Sequence, residues 1–311
     1  MIDVQYSQLG NSGLMLSTIG LGTHYTLGDR LDFQESRKIV QAALSIGLNY
    51  IDTSNGYGKG EAETFLGNIL KEIHHSEYCL STKVFFPIFN GPNGCGLSKK
   101  HITDSVEQSL RRLRVEYIDI LLLHRFDERI PIWETAEVIQ NLVHQGKVLY
   151  VGVSNWSIAQ IKQIESFGIR IICNQMPYNV LYSKHLETIQ DGIDLGVGAI
   201  LYGVLGQGII SEEYLSRTQN KNSRKHHPVA SKYLFHDTKL DRDKIMKIQD
   251  ICSKINISLF QFTLMKSMLN IQPSSILLGA YQLKHIENIK NFYGKFNCIR
   301  EGILNETPCN L

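Results

Sequence analysis

The chain has 311 residues, of which 43% are hydrophobic and 20% are charged, and its formal net charge is +2. This length suits one α/β barrel, which typically needs roughly 250 residues plus insertions. So small a net charge gives no reason to expect nucleic acid or an anionic membrane as a partner. We interpret residues 1–311 as a single domain.

The N-terminal stretch MIDVQYSQLGNSG lacks a basic region followed by an apolar one. No later segment approaches the ~18 uninterrupted apolar residues of a membrane span, so we expect a cytoplasmic protein. The cysteines are scattered, without a CxxC pair or a histidine pair at zinc spacing; they are Cys79, Cys95, Cys173, Cys252, Cys298 and Cys309. The sequence therefore predicts neither a disulfide framework nor a metal site.

Short runs rich in Ile, Val and Leu alternate with longer segments of helical spacing, as in a parallel sheet covered by helices. After a Gly-punctuated hairpin (VQYSQLGNSGLMLS), we predict strands at 18–22, 48–52, 78–84, 117–123, 149–153, 170–174, 197–202 and 275–279. Predicted helices follow at 34–46, 60–73, 101–113, 134–146, 157–166, 184–194, 241–269 and 283–295. Eight such units indicate a closed (β/α)8 TIM barrel rather than an open sheet.

The active site of such a barrel lies at the carboxyl ends of its strands. Each polar residue found there has a structural explanation of its own, as a turn cap, an extended lysine or a histidine bonded to a backbone carbonyl. The residues in question are Asp52, Lys83, His124, Ser154, Asn155, Asn174, Gln175 and Tyr202.

Four residues fit one reaction when they are taken together. A tyrosine such as Tyr57, with an ordinary pKa near ~10, is a poor acid unless a nearby cation favours its phenolate. Lys83 would supply that cation, and Asp52 would keep the lysine charged and oriented. His124 would hydrogen-bond a carbonyl oxygen or share a proton network with the phenol.

The loop that carries Tyr57 places it between Gly56 and Gly58, which would let the ring reach over the barrel mouth without obstruction. No nucleophile or metal accompanies the four residues, so the electrons have to come from elsewhere. A nicotinamide hydride is the natural candidate, although the residues alone do not identify it.

Seven segments carry a family resemblance in their order and spacing: LGNSGLMLSTIGLGT, DTSNGYG, STKV, LLLHRFD, VGVSNW, NQMPYN and LLGA. Over nearly the whole chain, the sequence resembles the aldo-keto reductases, particularly the bacterial branch related to potassium-channel beta subunits. The resemblance implies a (β/α)8 barrel that binds NADPH without a Rossmann fold and transfers hydride to an aldehyde or ketone. Matched by motif, Tyr57 is the general acid, Lys83 and Asp52 lower its pKa, and His124 orients the substrate.

The resemblance also implies which residues contact the cofactor, and Asp52 is one of them. Those at the nicotinamide half are the carboxamide-binding Ser154, Asn155 and Gln175, the stacking Tyr202, and the first-loop residues Gly22 and Thr23. At the seventh strand, however, the family usually reads Tyr-Ser-Pro-Leu, whereas this chain reads YGVLGQG. Backbone amides of Gly203, Leu205 and Gly206, in a run that includes Gly208, would then serve the phosphates.

The last strand departs as well, because the family often places Lys or Arg after it to bind the 2'-phosphate of NADPH. Here Gly279 and Tyr281 bring no arginine, and His285 sits where a basic residue is common. Lys284 would compensate only as a flexible ammonium, not as a bidentate guanidinium. NADPH is therefore the favoured cofactor, with NADH as the alternative.

The long connection 211–237 after the seventh strand is polar and basic. Loops of this length in compact domains are usually functional lids or disordered. Lys221, Arg224 and Lys225 would clamp phosphates or an anionic substrate, or else belong to a solvated basic loop. His226 and His227 lack a carboxylate at metal-ligand spacing, so we interpret them as polar surface.

Several side chains that follow strand ends would line a substrate pocket: Tyr25, Phe85, Phe86, Arg125 and Trp156. Arg125 suggests a hydroxyl-rich or anionic substrate, and its alternative role is a salt bridge with Asp127 or Glu128.

The function we expect is an NAD(P)H-dependent reductase of a carbonyl on a small molecule, for which a sugar or sugar derivative is a candidate. Two alternatives remain open. One is a nicotinamide-binding regulatory protein with vestigial chemistry, and the other is an NAD-dependent aldose or alcohol dehydrogenase. The sequence predicts neither the substrate itself nor the oligomeric state.

Overall fold

The computed structural model describes residues 3–215 and 239–306. A hairpin of β1 (Tyr6–Gln8) and β2 (Met15–Ser17) precedes eight parallel strands that close into a barrel in chain order. The barrel strands are β3 (Ile19–Gly22), β4 (Tyr50–Asp52), β5 (Cys79–Val84), β6 (Ile118–Leu123), β7 (Val148–Ser154), β8 (Ile171–Pro177), β9 (Gly198–Tyr202) and β10 (Ser275–Gly279). The predicted (β/α)8 barrel with its N-terminal hairpin is confirmed.

The helices of the described residues cover the outside of this barrel. They are α1 (Phe33–Ser45), α2 (Glu61–Leu70), α3 (Lys99–Leu113), α4 (Ile132–His144), α5 (Ile158–Glu165), α6 (Leu186–Asp194), α7 (Glu212–Leu215), α8 (Lys239–Lys254), α9 (Leu259–Ile271), α10 (Leu283–Gly294) and α11 (Phe296–Glu306). None of them is both long and apolar enough to cross a membrane.

One predicted helix, 241–269, is in fact two. The chain turns at Asn256, which has a φ of 54°, and a capping box of Ser258 and Gln261 then starts α9. Reciprocal side-chain bonds of this type satisfy amides that the first helical turn leaves unpaired. Without a Pro or Gly at the break, the apolar spacing had indicated one long helix.

The strands are buried on both faces, which explains why they read as continuous apolar runs instead of alternating ones. Every residue of β5 and β6 is buried. One apolar cluster fills the barrel, and two larger ones lie mainly between the sheet and the helices. A packed interior of this type leaves chemistry to the strand ends.

The hairpin packs on the N-terminal ends of β8 and β9. The amide of Asn11 donates to the carbonyl of Gly196 at 2.8 Å, and Leu9 is fully buried in the interior cluster. Gly10 has a φ of 52°, and a Cβ there would lie 2.5 Å from the carbonyl oxygen of Ile172. Only glycine fits, and the hairpin turn closes the N-terminal end of the barrel.

Candidate active site

Adjacent strands deliver three of the predicted catalytic side chains to the C-terminal end of the barrel. Asp52 ends β4, Lys83 is the penultimate residue of β5, and His124 follows β6 directly. β4 pairs with β5, and β5 pairs with β6. The barrel topology thus brings the three residues together, although they are far apart in sequence.

Asp52 and Lys83 form a buried ion pair. The lysine Nζ donates to Asp52 Oδ2 at 2.5 Å and to the carbonyl of Thr53 at 2.8 Å. Asp52 Oδ1 accepts from Ser81 Oγ at 2.7 Å and from Gln175 Nε2 at 2.9 Å. Burial lowers the pKa of Lys83, and the carboxylate of Asp52 opposes that effect. One carboxylate oxygen therefore binds the amine, and the other is fixed by Ser81 and Gln175.

Tyr57 lies above this pair, at the start of a 3-10 turn that spans Tyr57–Gly60. Its ring centre is 4.9 Å from Lys83 Nζ, and the His124 ring meets it edge-on at 6.1 Å. His24, from the loop after β3, stacks on the other side with ring centres 4.5 Å apart. The phenol ring is thus held between an ammonium group and two imidazoles.

Of the two glycines beside Tyr57, only Gly58 is required by the backbone. Gly58 has a φ of 55°, and a Cβ there would lie 2.7 Å from the carbonyl oxygen of Gly28. Gly56 has an ordinary helical conformation, and a Cβ added there would have Phe86 Cβ as its nearest neighbour, at 3.6 Å. The expectation that both glycines free the path of the loop holds for Gly58 alone.

His124 is a buried, neutral imidazole at neutral pH. Burial lowers its pKa well below 6.5, and the charges of Lys83, Arg125 and His24 lower it further. Its Nδ1 lies 3.5 Å from Ser54 Oγ. A neutral ring can donate one hydrogen bond and accept another, but it cannot supply a permanent positive charge.

The residues assigned to the nicotinamide carboxamide form one network at the ends of β7, β8 and β9. Ser154 Oγ donates to the carbonyl of Gln175 at 3.1 Å, and Asn155 Nδ2 donates to Ser154 Oγ at 2.7 Å. Tyr202 donates to Asn155 Oδ1 at 3.0 Å. Asn174 Oδ1 is buried without a hydrogen-bond partner among the described residues. Gln175 reaches Asp52, so the preceding residue Asn174 points to the opposite face of β8, where its Nδ2 donates to the carbonyl of Trp156, and it lies outside this network.

The end of β3 and the loop after it pack against the end of β4, beside Asp52. The amide and the hydroxyl of Thr23 both donate to the carbonyl of Asp52 at 3.0 Å. Gly22 pairs with Asp52 on one side and with Gly279 on the other. A Cβ on Gly22 would make only ordinary contacts, the nearest at 3.7 Å, so protein packing alone does not require glycine there. The residues present fit a nicotinamide cofactor that approaches the backbone closely.

The run after β9 folds into a tight turn of left-handed residues. Gly203, Gly206 and Gly208 have φ of 71°, 55° and 104°. The amide of Gly206 donates to the carbonyl of Gly203 at 2.8 Å, and that of Gly208 donates to the carbonyl of Leu205 at 3.0 Å. The turn itself thus uses the amides of Gly206 and Gly208, and the role of this run towards the phosphates stays a prediction.

Beyond the end of β10, where the family resemblance implies the 2'-phosphate site, the structure brings an arginine that the residues after this strand lack. Arg30, from the loop between β3 and α1, places its Cζ 3.4 Å from the ring centre of Tyr281. The amide of Tyr281 donates to Nδ1 of His285 at 3.3 Å, and Lys284 is exposed. β3 and β10 are paired, so the loops that follow them are neighbours.

The predicted substrate residues divide into two groups. Tyr25, with a φ of 57°, meets the His24 ring at a tilted angle with ring centres 4.0 Å apart, and Phe85 meets Phe86 edge-on at 5.5 Å near the barrel mouth. Trp156 instead is fully buried and packs edge-on against Phe126 at 4.9 Å. Its ring belongs to the apolar wall under α4 and α5, and we leave it out of the proposed pocket.

Arg125 does not form the salt bridge that was its alternative role. Asp127 is buried and binds both Nε and Nη2 of Arg129, at 2.8 and 2.9 Å. No ion pair joins Arg125 to any described carboxylate. The guanidinium instead hydrogen-bonds the hydroxyl of Tyr202, and its charge lowers the pKa of that phenol, against the larger effect of burial, which raises it. A cation without a bound carboxylate thus stands beside the candidate site.

Sequence reasoning missed three residues that contact the site. Ser81 had a usable signal, because it lies two positions before Lys83 in β5 and therefore points to the same face of the strand. Ser54 and His24 lie in loops, where no periodicity indicates direction. Of the predicted loop residues, Lys221, Arg224, Lys225, His226 and His227 lie outside the described residues.

A closed parallel barrel whose titratable side chains meet at the C-terminal strand ends is the architecture of a (β/α)8-barrel enzyme. The family model described as Aldo/keto reductase family matches residues 18–297. The chain therefore belongs to the aldo/keto reductase family, whose members are oxidoreductases that act on carbonyl groups with NAD(P)H.

The similar proteins include proteins named as potassium channel beta subunits and proteins named as reductases. A probable voltage-gated potassium channel subunit beta from Oryza sativa subsp. japonica is 31% identical over 302 residues, covering 92% of this chain and 90% of that protein. An L-glyceraldehyde 3-phosphate reductase from Escherichia coli (strain K12) is 30% identical over 303 residues, covering 91% and 86%. Among solved structures, the holo form of aldo-keto reductase AKR11C1 from Bacillus halodurans superimposes with a TM-score of 0.79 at 24% identity, over 99% of this chain and 98% of that one. That likeness shows the fold.

Proposed function

We propose that the protein is an NADPH-dependent reductase of small aldehydes or ketones, with Tyr57 as the general acid. The observation that supports this proposal is the placement of the Tyr57 ring beside the buried Lys83–Asp52 pair, with Lys83 Nζ 4.9 Å from the ring centre. The pair lies where barrel enzymes carry out their chemistry.

The proton transfer follows from this arrangement. Tyr57 donates its phenolic proton to the carbonyl oxygen of the substrate as that oxygen becomes an alkoxide. The Lys83 ammonium stabilises the phenolate that remains, and Asp52 holds the ammonium in position. Neutral His124 donates a hydrogen bond to the same carbonyl oxygen and polarises it. Tyr57 and His124 thus act directly on the carbonyl oxygen, whereas Lys83 and Asp52 act through Tyr57.

A reduced nicotinamide supplies the hydride when it is bound. Ser154 and Asn155 would hold its carboxamide. Tyr202 would stack on the ring, and the glycine positions on β3 and β10 would admit the close approach of the nucleotide. Gln175 would act chiefly through Asp52, to which its amide is bonded.

The substrate we propose carries hydroxyl or anionic groups near its carbonyl. Arg125 supports this choice, because it has no ion pair with a described carboxylate and lies against Tyr202. Guanidinium groups bind phosphates and carboxylates in bidentate fashion. The name of the Escherichia coli relative, an L-glyceraldehyde 3-phosphate reductase, supports a small phosphorylated or sugar-derived aldehyde.

A panel of aldehydes, ketones and ketosugars, assayed with NADPH and with NADH, tests the proposal. We expect turnover of at least one small aldehyde and faster turnover with NADPH. The name of the Oryza relative favours a second function, a nicotinamide-binding regulatory subunit. Tight cofactor binding without turnover across the panel would favour that function. Oxidation of an aldose or alcohol with NAD as the preferred direction would instead indicate a dehydrogenase.

A further inference from the structure

We propose that Arg30, stacked on Tyr281, is the residue by which this chain selects a 2'-phosphorylated dinucleotide over an unphosphorylated one. The inference rests on the proposed function, because it concerns the adenosine end of the same cofactor site. It assigns a binding role to a loop residue that neither the fold nor the order of family motifs indicates.

The guanidinium of Arg30 is held in place but is not neutralised. Its Cζ lies 3.4 Å from the ring centre of Tyr281, a close cation–π contact. Its Nη2 is buried and has no hydrogen-bond partner, and Arg30 forms no ion pair within residues 3–215 and 239–306. Burial of a charged N–H without an acceptor is costly, so an anionic oxygen that reaches this group would stabilise it.

Tyr281 is in turn fixed by its own surroundings. Its ring meets His285 edge-on at 4.3 Å, and its amide donates to Nδ1 of that histidine. With Nδ1 as an acceptor, a neutral His285 carries its proton on Nε2. Gln282 starts α10 without a side-chain cap, so amides of the first turn add positive potential beside Arg30. The stack is therefore a preorganised anion-binding surface.

A 2'-phosphate matches this surface better than the ribose hydroxyl that an unphosphorylated dinucleotide has in its place. Its oxygens accept parallel bonds from a planar guanidinium, whereas a ribose hydroxyl offers a single weak acceptor. Arg30 and Tyr281 come together only because β3 and β10 are the strands that close the barrel. Arg30 thus supplies the guanidinium that the residues after β10 lack.

Dissociation constants for NADPH and NADH, measured by nicotinamide fluorescence on the purified protein, test the assignment without relying on turnover. For Arg30→Met we expect the dissociation constant of NADPH to rise about 10- to 100-fold and that of NADH to change little, since a charge-assisted bond to the phosphate is lost. Arg30→Lys should give an intermediate loss, because the charge remains without the planar fork. Tyr281→Leu should also weaken NADPH selectively.

Arg111 is an exposed arginine on α3, so Arg111→Met is the matched control and should leave the dissociation constants of NADPH and NADH unchanged. Adenosine 2',5'-bisphosphate gives a second readout, because it should displace NADPH from the wild type far better than from Arg30→Met. Equal weakening of both cofactors, or no weakening of either, would overturn the role of Arg30 and leave the proposed reductase intact. Failure of the wild type to bind any nicotinamide nucleotide would overturn both.

Discussion

Lys83 and Asp52 lie on neighbouring strands and form an ion pair with an Nζ–Oδ2 distance of 2.5 Å, in a place where neither side chain reaches solvent. Two isolated charges could not occupy this position, because burial of an unpaired charge is expensive. Together they place one ammonium group under the ring of Tyr57. The pair is therefore a structural element of the barrel and, in the proposed mechanism, the source of the acidity of the phenol.

We expect Asp52→Asn to destabilise the fold by about 3–5 kcal/mol, because it leaves the Lys83 ammonium buried without a counter-ion. The double variant Asp52→Asn with Lys83→Met should recover much of that loss but should stay inactive. Urea unfolding monitored by circular dichroism measures both effects. A double variant that is no more stable than Asp52→Asn alone would show that the buried lysine is not the origin of the cost.

Tyr57→Phe should lower kcat/KM about 10²- to 10⁴-fold, since it removes the donor of the transferred proton and leaves the ring in place. Cofactor affinity should persist, because the residues assigned to the cofactor are elsewhere. Tyr6→Phe is a suitable control, as Tyr6 donates to the carbonyl of Gly47 at the opposite end of the barrel. Normal turnover by the Tyr57 variant would exclude this phenol as the acid.

The low pKa of His124 predicts a specific dependence of stability on pH. Below the ordinary value of 6.5, the unfolded chain binds a proton at this residue that the folded chain does not bind. This contribution to stability is complete above that pH and is lost as the pH falls towards the pKa of the folded state, at up to ~1.4 kcal/mol per pH unit.

His124→Gln removes the titrating group, so the free energy of unfolding of the wild type minus that of the variant should fall as the pH falls. Urea unfolding of both proteins between about pH 7.5 and about pH 5.5 measures this difference, in which the contributions of other groups largely cancel. A difference that does not change over this range would mean that the folded protein binds the proton on His124 as readily as the unfolded chain.

The parts of the site that lie on strands could be predicted, and the parts that lie in loops could not. A strand end in a parallel barrel has a fixed position, so Asp52, Lys83 and His124 were expected to meet, and they do. His24 and Arg30 depend on the path of the loop after β3, which includes Tyr25 in a left-handed conformation. No local pattern reports such a path.

Burial is the second property that the sequence did not reveal. Trp156 lies two residues after the end of β7, and its position alone did not show whether its ring lines a pocket or packs in the apolar layer under the helices. The asparagine before Gln175 decides the matter, because Asn174 Nδ2 donates to the carbonyl of Trp156 at 2.8 Å and fixes the local backbone. The ring then turns towards Phe126.

In helix α2, replacing a glycine with alanine should destabilise the protein, which is the opposite of the usual effect inside a helix. Gly67 lies inside this helix, where alanine would normally stabilise it by roughly 0.5–1 kcal/mol. A Cβ at Gly67, however, would lie 2.1 Å from the carbonyl oxygen of Arg112 and 2.7 Å from the carbonyl carbon of Leu113. These atoms are backbone at the end of α3 and cannot rotate away, so the helices would have to separate.

We therefore expect Gly67→Ala to destabilise the protein by about 1–3 kcal/mol, the usual cost of overpacking. Gly302→Ala in α11 is the matched control, because a Cβ there would meet only Ile255, at 3.6 Å. That substitution should be neutral or stabilising by up to about 1 kcal/mol. Thermal and urea unfolding of the two variants compare them directly. A Gly67 variant as stable as the Gly302 variant would mean that α2 and α3 are not packed as closely as the structure has them.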